Sequence, residues 1–352
     1  MRARASTLSA LATVIVVAGV AHGALLKEYR FASTRTFEVG ADPSVTVEAI
    51  TGDVSYTGVE GTSAEVVVSV LIKAHDSTEA EEIYKNLHII AEGSEGMLDV
   101  RLDDTRDFYR WLRDNFSTHH EAEVSFKVHG PRGADLQLSS VSGDTRAEEI
   151  KGIVKASSVS GDVFVADAEG KVKAHSTSGS VEVRRGGGPV IVSSVSGDVT
   201  VVSCGGTLDV ESTSGAVRVS NVTGSTVAET VSGDVEVRGA GDNVDASSTS
   251  GDISVEQEKG GVKASSTSGD VSVRSHAGGD MDIETVSGEV KLSVNPDSYG
   301  DVSLSTSSGS IDSAVPIKVR RHSERRLEGQ LGAGASTMHV STHSGDITLA
   351  EY

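Results

Sequence analysis

A period of 18 residues constrains this chain more than any other feature. Glycine recurs at 143, 161, 179, 197, 215, 233, 251, 269, 288, 309 and 345, and the first seven intervals are each 18. The next three intervals are 19, 21 and 36, the last being twice 18. Serine precedes the glycine in all eleven copies. A second glycine stands nine residues later at 152, 170, 188, 206, 224, 260 and 278. Between the glycines, apolar and polar residues alternate. Val163, Val181, Val199, Val217, Val235, Ile253 and Val271 form one column, and Val165, Val183, Val201, Val219, Val237, Val255 and Val273 form another. Alternation with period 2 in β-branched residues marks strands. Each period therefore reads as two short strands with glycine corners, and the sequence predicts positive φ at those corners. Such a unit cannot bury its apolar face alone, but stacked copies share a continuous core.

The expected fold is all-β: a β-solenoid, β-helix- or β-roll-like, with 18-residue, two-strand coils stacked in sequence order. Composition fits a thin interior, since only 13 of 352 residues are aromatic while 39 are glycine. The inward columns Val172, Val190, Leu208, then Ala174, Ala246, Ala264, then Ser176, Ser194, Ser212 diminish toward one corner, so the core should taper there. The serines before the glycines are expected to form a hydroxyl ladder that satisfies backbone groups at the turns.

Outside the repeat, residues 1–23 read as a secretory signal peptide. Arg2 and Arg4 precede an apolar run from Leu8 to Val20, and Ala21-His22-Gly23 supplies small residues for cleavage. An uncleaved anchor is the alternative, although 13 residues fall short of the ~20 that a membrane span needs. The sole cysteine, Cys204, is far from the cleavage site, which argues against a lipoprotein anchor. The expected location is thus exported: periplasmic, cell-surface or secreted, with no transmembrane segment after cleavage. One cysteine makes no internal disulfide and no cysteine-based zinc site; Cys204 is expected at a turn, unpaired or bridging two chains when oxidised. Residues 24–137 form an N-terminal β segment. It holds a first coil around Thr51-Gly52-Asp53-Val54, an amphipathic capping helix over about 77–88 with Asp76 at its start, and an aromatic excursion. Residues 138–352 form the repeat solenoid, interrupted by a basic excursion over 316–334.

These residues carry a resemblance. The repeated Val-Ser-Gly-Asp-Val and Thr-Ser-Gly-Asp-Val units resemble the bacterial putative-adhesin family of β-strand-repeat proteins, a domain of unknown function. The entry strand Val128-His129-Gly130-Pro131-Arg132-Gly133-Ala134 and the closing Gly332-Ala333-Gly334 followed by Ser344-Gly345-Asp346-Ile347 do so as well. The resemblance spans nearly all of 36–350. It implies an envelope-associated or secreted β-solenoid, and it brings no catalytic residues.

The chemistry-bearing residues are few. An acid follows the glycine in eight of eleven copies, and Asp234, Asp252, Asp270 and Glu289 form its longest run. Read as a metal column, it suggests calcium bound between turns, as in nonapeptide β-rolls that also use 18 residues per coil. The sequence departs from that pattern by having one acid per coil. Charges ~4.8 Å apart also repel by about 1 kcal/mol in water. A turn acid accepting backbone N–H bonds explains the column without a cation, and no cofactor is expected. The conserved-looking serines lack a repeating histidine to act as base, so no catalytic residue is assigned and the chain reads as not an enzyme. A β-helix polysaccharide-acting enzyme is a remaining alternative, against which stands the shortage of aromatic sugar platforms.

Two segments are candidate partner contacts: Phe108, Tyr109, Trp111 and Phe116 among arginines, and Arg320, Arg321, Arg325 and Arg326 on an otherwise acidic chain. The aromatic segment reads equally as a cover for the end of the solenoid, and the basic one as a solvated loop paired with the acidic columns. His119-His120-Glu121 offers metal-ligand types, but adjacent residues of a strand point oppositely. The net charge of −20 speaks against nucleic acid. The functional expectation is a non-enzymatic adhesin-like or scaffold module that binds a protein or glycan of the cell envelope.

Overall fold

The structure is a computed structural model; it describes residues 8–13, 26–103, 105–115, 121–276 and 278–352. It is nearly all β and divides into two compact units, Met1–Gly170 and Lys171–Tyr352. The solenoid expectation holds: long parallel sheets are built from repeated short strands.

In the first unit, the coil made by Ser44–Glu48 and Val54–Val59 stacks in parallel on the coil made by Asp135–Ser140 and Thr145–Ile150. It is not the outermost coil. Met97–Leu102 and Glu121–Pro131 pair in parallel on its other side, so a coil late in sequence is placed beyond an earlier one. Antiparallel strands then close the stack. Glu121–Pro131 pairs with Ser63–Ala74, which pairs over twelve residues with Lys27–Glu38. Leu8–Thr13, within the segment read as a leader, pairs antiparallel with Lys27–Glu38.

Helix α1 (Ser77–Asn86) matches the expected start and ends two residues earlier than the expected range. Asp76 accepts from the Glu79 amide at 2.9 Å, and the Glu79 carboxylate accepts from the His75 amide at 2.6 Å, so two orphan N–H groups are satisfied reciprocally. Ala80 and Ile83 are buried, and Tyr84 stacks on Phe31 with ring centroids 4.4 Å apart. The aromatic excursion is a second helix, α2 (Thr105–Asn115), with Phe108 and Leu112 buried.

The second unit is regular. Val181, Val199, Val217, Val235, Ile253, Val271, Val290 and Ile347 pair in unbroken register. Here, too, sequence order breaks at the end. The coil made by Ser336–Ser344 and Ile347–Glu351 lies between Met281–Ser287/Val290–Val294 on one side and Tyr299–Ser308/Ile311–Ser313 on the other. The basic excursion is not a loop. Lys318–Ser323 and Arg326–Gln330 form an antiparallel hairpin that pairs with Tyr299–Ser308 and extends the sheet.

Two expectations about the corners are corrected. The glycines of the Ser-Gly corners from Gly143 to Gly288 are not in the left-handed region, although Gly260, at the second corner, has φ of 90° as expected. They are required because coils approach closely: a Cβ at Gly197 would overlap the carbonyl of Gly179, and one at Gly215 that of Gly197. Left-handed residues occur elsewhere, once per coil, at Glu149, Asp167, Arg185, Ser203, Asn221 and Gly239, with φ between 54° and 64°. There the alternation slips by one residue, as in Val181, Val183 and Gly186 all facing inward.

The hydroxyl ladder also runs in a different column. The serine before each corner glycine is exposed; the buried column lies three residues before the glycine, at Ser176, Ser194, Ser212, Thr230, Ser248 and Ser266. Ser194 accepts from the Gly197 amide at 2.9 Å and donates to the Gly179 carbonyl at 3.0 Å, tying its own corner to that of the preceding coil. Ser212 repeats the pattern on Gly215 and Gly197. A buried hydroxyl is tolerated because both its donor and its acceptor functions are used.

Candidate functional site

The acidic column has a defined geometry. Asp234 accepts from the Asp252 amide at 2.9 Å, Asp252 from the Asp270 amide at 2.8 Å, and Asp270 from the Glu289 amide at 2.8 Å. Each carboxylate thus braces the next coil, and the attraction of a charge for an N–H offsets the spacing of like charges along the column. The same device serves the opposite corner, where Asp280 accepts from the amide and hydroxyl of Thr337, both at 2.9 Å. These bonds hold the carboxyl of Asp280 below its usual range. Asp346 is lowered in the same way by Ser310, and Asp198 first by the Ala216 amide and then by Arg218. Glu289 pairs with Lys291 at 2.8 Å, which raises the lysine. Among the described residues, no three His, Cys, Asp or Glu side chains gather as ligands for one metal ion.

The partner-contact candidates fall in two places. On α2, Phe108 and Trp111 lie with ring centroids 6.3 Å apart, Phe108 buried and Trp111 half-buried. Phe116, the side chain of Tyr109, and His119-His120 lie outside what the structure describes. Glu121 pairs with Lys73 at 2.6 Å. In the hairpin, Arg320 pairs with Asp301, Arg321 with Glu328 at 3.6 Å and Arg326 with Glu328 at 2.5 Å. Arg325 is exposed at the turn. The hairpin arginines therefore pair with acids of their own neighbourhood rather than with the acidic columns. Cys204 is buried, its thiol pushed up by that burial, which withdraws it from the interchain bridge considered above.

The coil inserted at the end of the second unit assembles a row that sequence spacing concealed. On its outward face, Val227, Asp245, Lys263, Asp282, His339, Ser303, Glu328 and Arg321 are successive cross-strand neighbours. At the ordinary strand spacing of ~4.8 Å, eight strands span roughly 34 Å. A groove of about 600 Å³ lies along Val227, Asp245, Lys263, Asp282 and His339. A second of about 360 Å³, lined by Asp301, Ser303, Arg320 and Glu328, shares Thr337 and His339 with the first. Lys263 pairs with Asp245 at 3.5 Å, so charges of both signs alternate along the row. Arg320 and Arg321 were in view from composition. Asp245, Lys263, Asp282 and His339 carried no signal, because His339 joins them only through the out-of-order coil.

Residues 187–277 and 242–350 match the family model described as Toastrack DUF4097. This part of the chain is similar to that family. The match covers the whole row from Val227 to Arg321 and agrees with the resemblance drawn from the Ser-Gly-Asp units. No curated protein matches the chain. Among similar solved structures is a putative cell adhesion protein from Clostridium sporogenes, at 10% identity over 91% of this chain and 100% of that one, with a TM-score of 0.17. A putative lipid binding protein from Parabacteroides distasonis is 17% identical over 75% and 96%, with a TM-score of 0.34. A putative adhesin from Bacteroides fragilis is 14% identical over 90% and 96%, with a TM-score of 0.26. In the matched region the buried hydroxyl ladder and the corner carboxylates bond a neighbouring coil, while the serine before each corner glycine is exposed.

Proposed function

We propose that the chain is a non-enzymatic, exported β-solenoid that serves as an adhesin-like or scaffold module of the bacterial cell envelope. It binds another envelope component, a protein or glycan, through the outward row of the second unit. One observation carries this reading: the buried hydroxyl ladder and the corner carboxylates are committed to coil-to-coil hydrogen bonds, while the side chains of the outward row change from one coil to its neighbour. A nucleophile needs an adjacent base, and the buried ladder serines such as Ser194 have a backbone amide and a carbonyl instead. The row offers charges of both signs, a histidine and a hydroxyl along two adjoining grooves, which suits a polar extended ligand.

The test is co-sedimentation of the purified chain with an isolated envelope fraction. Replacing Lys263, Asp282 and His339 together by alanine should weaken capture at least tenfold while circular dichroism stays that of the parent. Undiminished capture would contradict the reading. The export part is tested separately by N-terminal sequencing of the protein in the periplasm or medium, where a start at Ala24 is expected.

A further inference from the structure

The sheet that carries the row ends on Lys318–Ser323, which among the described residues pairs only with Arg326–Gln330 and leaves its other edge open. All six of its residues are exposed, Val319 at 51%. An open edge is a template for another strand unless something opposes pairing. Here the opposition is selective. The hairpin over 318–330 carries five basic residues against two acidic, so two such edges repel one another. An acidic edge would meet no such barrier.

The first unit supplies one. Ile89–Ser94, also six residues long, is a terminal strand that among the described residues pairs only with Met97–Leu102. The hairpin over 89–102 carries three acidic residues, Glu92, Glu95 and Asp99, against the single basic Arg101. Glu92 and Glu95 are exposed. The two edges are equal in length and opposite in charge.

We infer that copies of this chain associate head to tail, the Lys318–Ser323 edge of one copy adding as a strand to the Ile89–Ser94 edge of another. Main-chain hydrogen bonds supply the attraction and the opposed charges select the partner edge. Such a contact is heterologous: a pair of copies keeps one edge of each kind free, so association continues beyond the dimer. This inference is independent of the envelope-binding reading, because neither edge strand needs the row to be occupied.

Analytical ultracentrifugation of the full chain at low salt tests it. The expected result is concentration-dependent association that weakens at least tenfold in 0.5 M salt, because exposed charges are screened. The double variant Arg320→Glu/Arg321→Glu alone should be monomeric, and Glu92→Lys/Glu95→Lys alone should be monomeric too. An equimolar mixture of the two variants should associate again, since each reversed edge then meets its complement. Thermal melts matching the parent show that the variants fold. A monomeric parent, variants that still associate, or a mixture that stays monomeric would each overturn the inference.

Discussion

Thr226 shows how strictly the columns are specified. It occupies the inward position that Val190, Leu208 and Val244 fill in neighbouring coils, and it is 1% exposed. Its hydroxyl has no hydrogen-bond partner among the described residues, whereas Thr145, an inward threonine of the other sheet, donates to the Ser157 carbonyl at 3.1 Å. Valine has the same shape without the stranded hydroxyl. Thr226→Val should therefore raise stability by about 1 kcal/mol, read from denaturant unfolding. The carboxylates give the opposite kind of test. Asp198, Asp280 and Asp346 are held below the usual carboxylate range by the amides they brace. Their contribution is complete above the unfolded value near ~3.9 and is lost as pH falls through the lower folded values. Melting temperature should hold from neutral pH to about 5 and fall below about 4. A melt insensitive to pH over that range would show that the carboxylates do not brace the coils.

At the scale of one strand, the left-handed column is the feature that sequence concealed. Asp167, Asn221 and Gly239 are types that tolerate positive φ, but Glu149, Arg185 and Ser203 share that conformation without advertising it. The coil over Ile253–Gln257 lacks the slip, alternates without interruption, and shifts register against Val235–Ala240. Ser203→Gly should stabilise by roughly 0.5–1 kcal/mol, since glycine adopts this conformation without the Cβ penalty. A loss of stability would mean that the left-handed residue is not strained. The strands themselves were legible because Val columns at spacing 18 admit no other folding, and α1 because Asp76 and Glu79 flank an apolar stripe. The corner glycines were legible in position but not in reason. Repeated glycine signals either free dihedrals or close approach, and only the overlap of a Cβ at Gly197 with the Gly179 carbonyl distinguishes the two.

At the scale of each unit, the order of coils was not legible at all. A repeat of fixed register is compatible with any neighbour of the same register, so Ser336–Ser344 stacks as readily on Met281–Ser287 as on Tyr299–Ser308, and the structure places it between them. That insertion brings His339 beside Asp282 and builds the outward row from segments distant in sequence. It also settles the edges: Ile311–Ser313 is a three-residue edge strand, and the Lys318–Ser323 edge is basic. In each unit buried hydroxyls and corner carboxylates hold coils together, and in the second unit the outward row changes from one coil to its neighbour.

The bracing role of the acidic column is tested most directly by thermal unfolding of Asp234→Ala/Asp252→Ala/Asp270→Ala beside the parent, each with excess calcium and with chelator. If the carboxylates brace the next coil through its amides, the variant melts below the parent by the same margin in both conditions. If the parent's advantage appears with calcium and vanishes with chelator, the column is a metal site and the account is wrong.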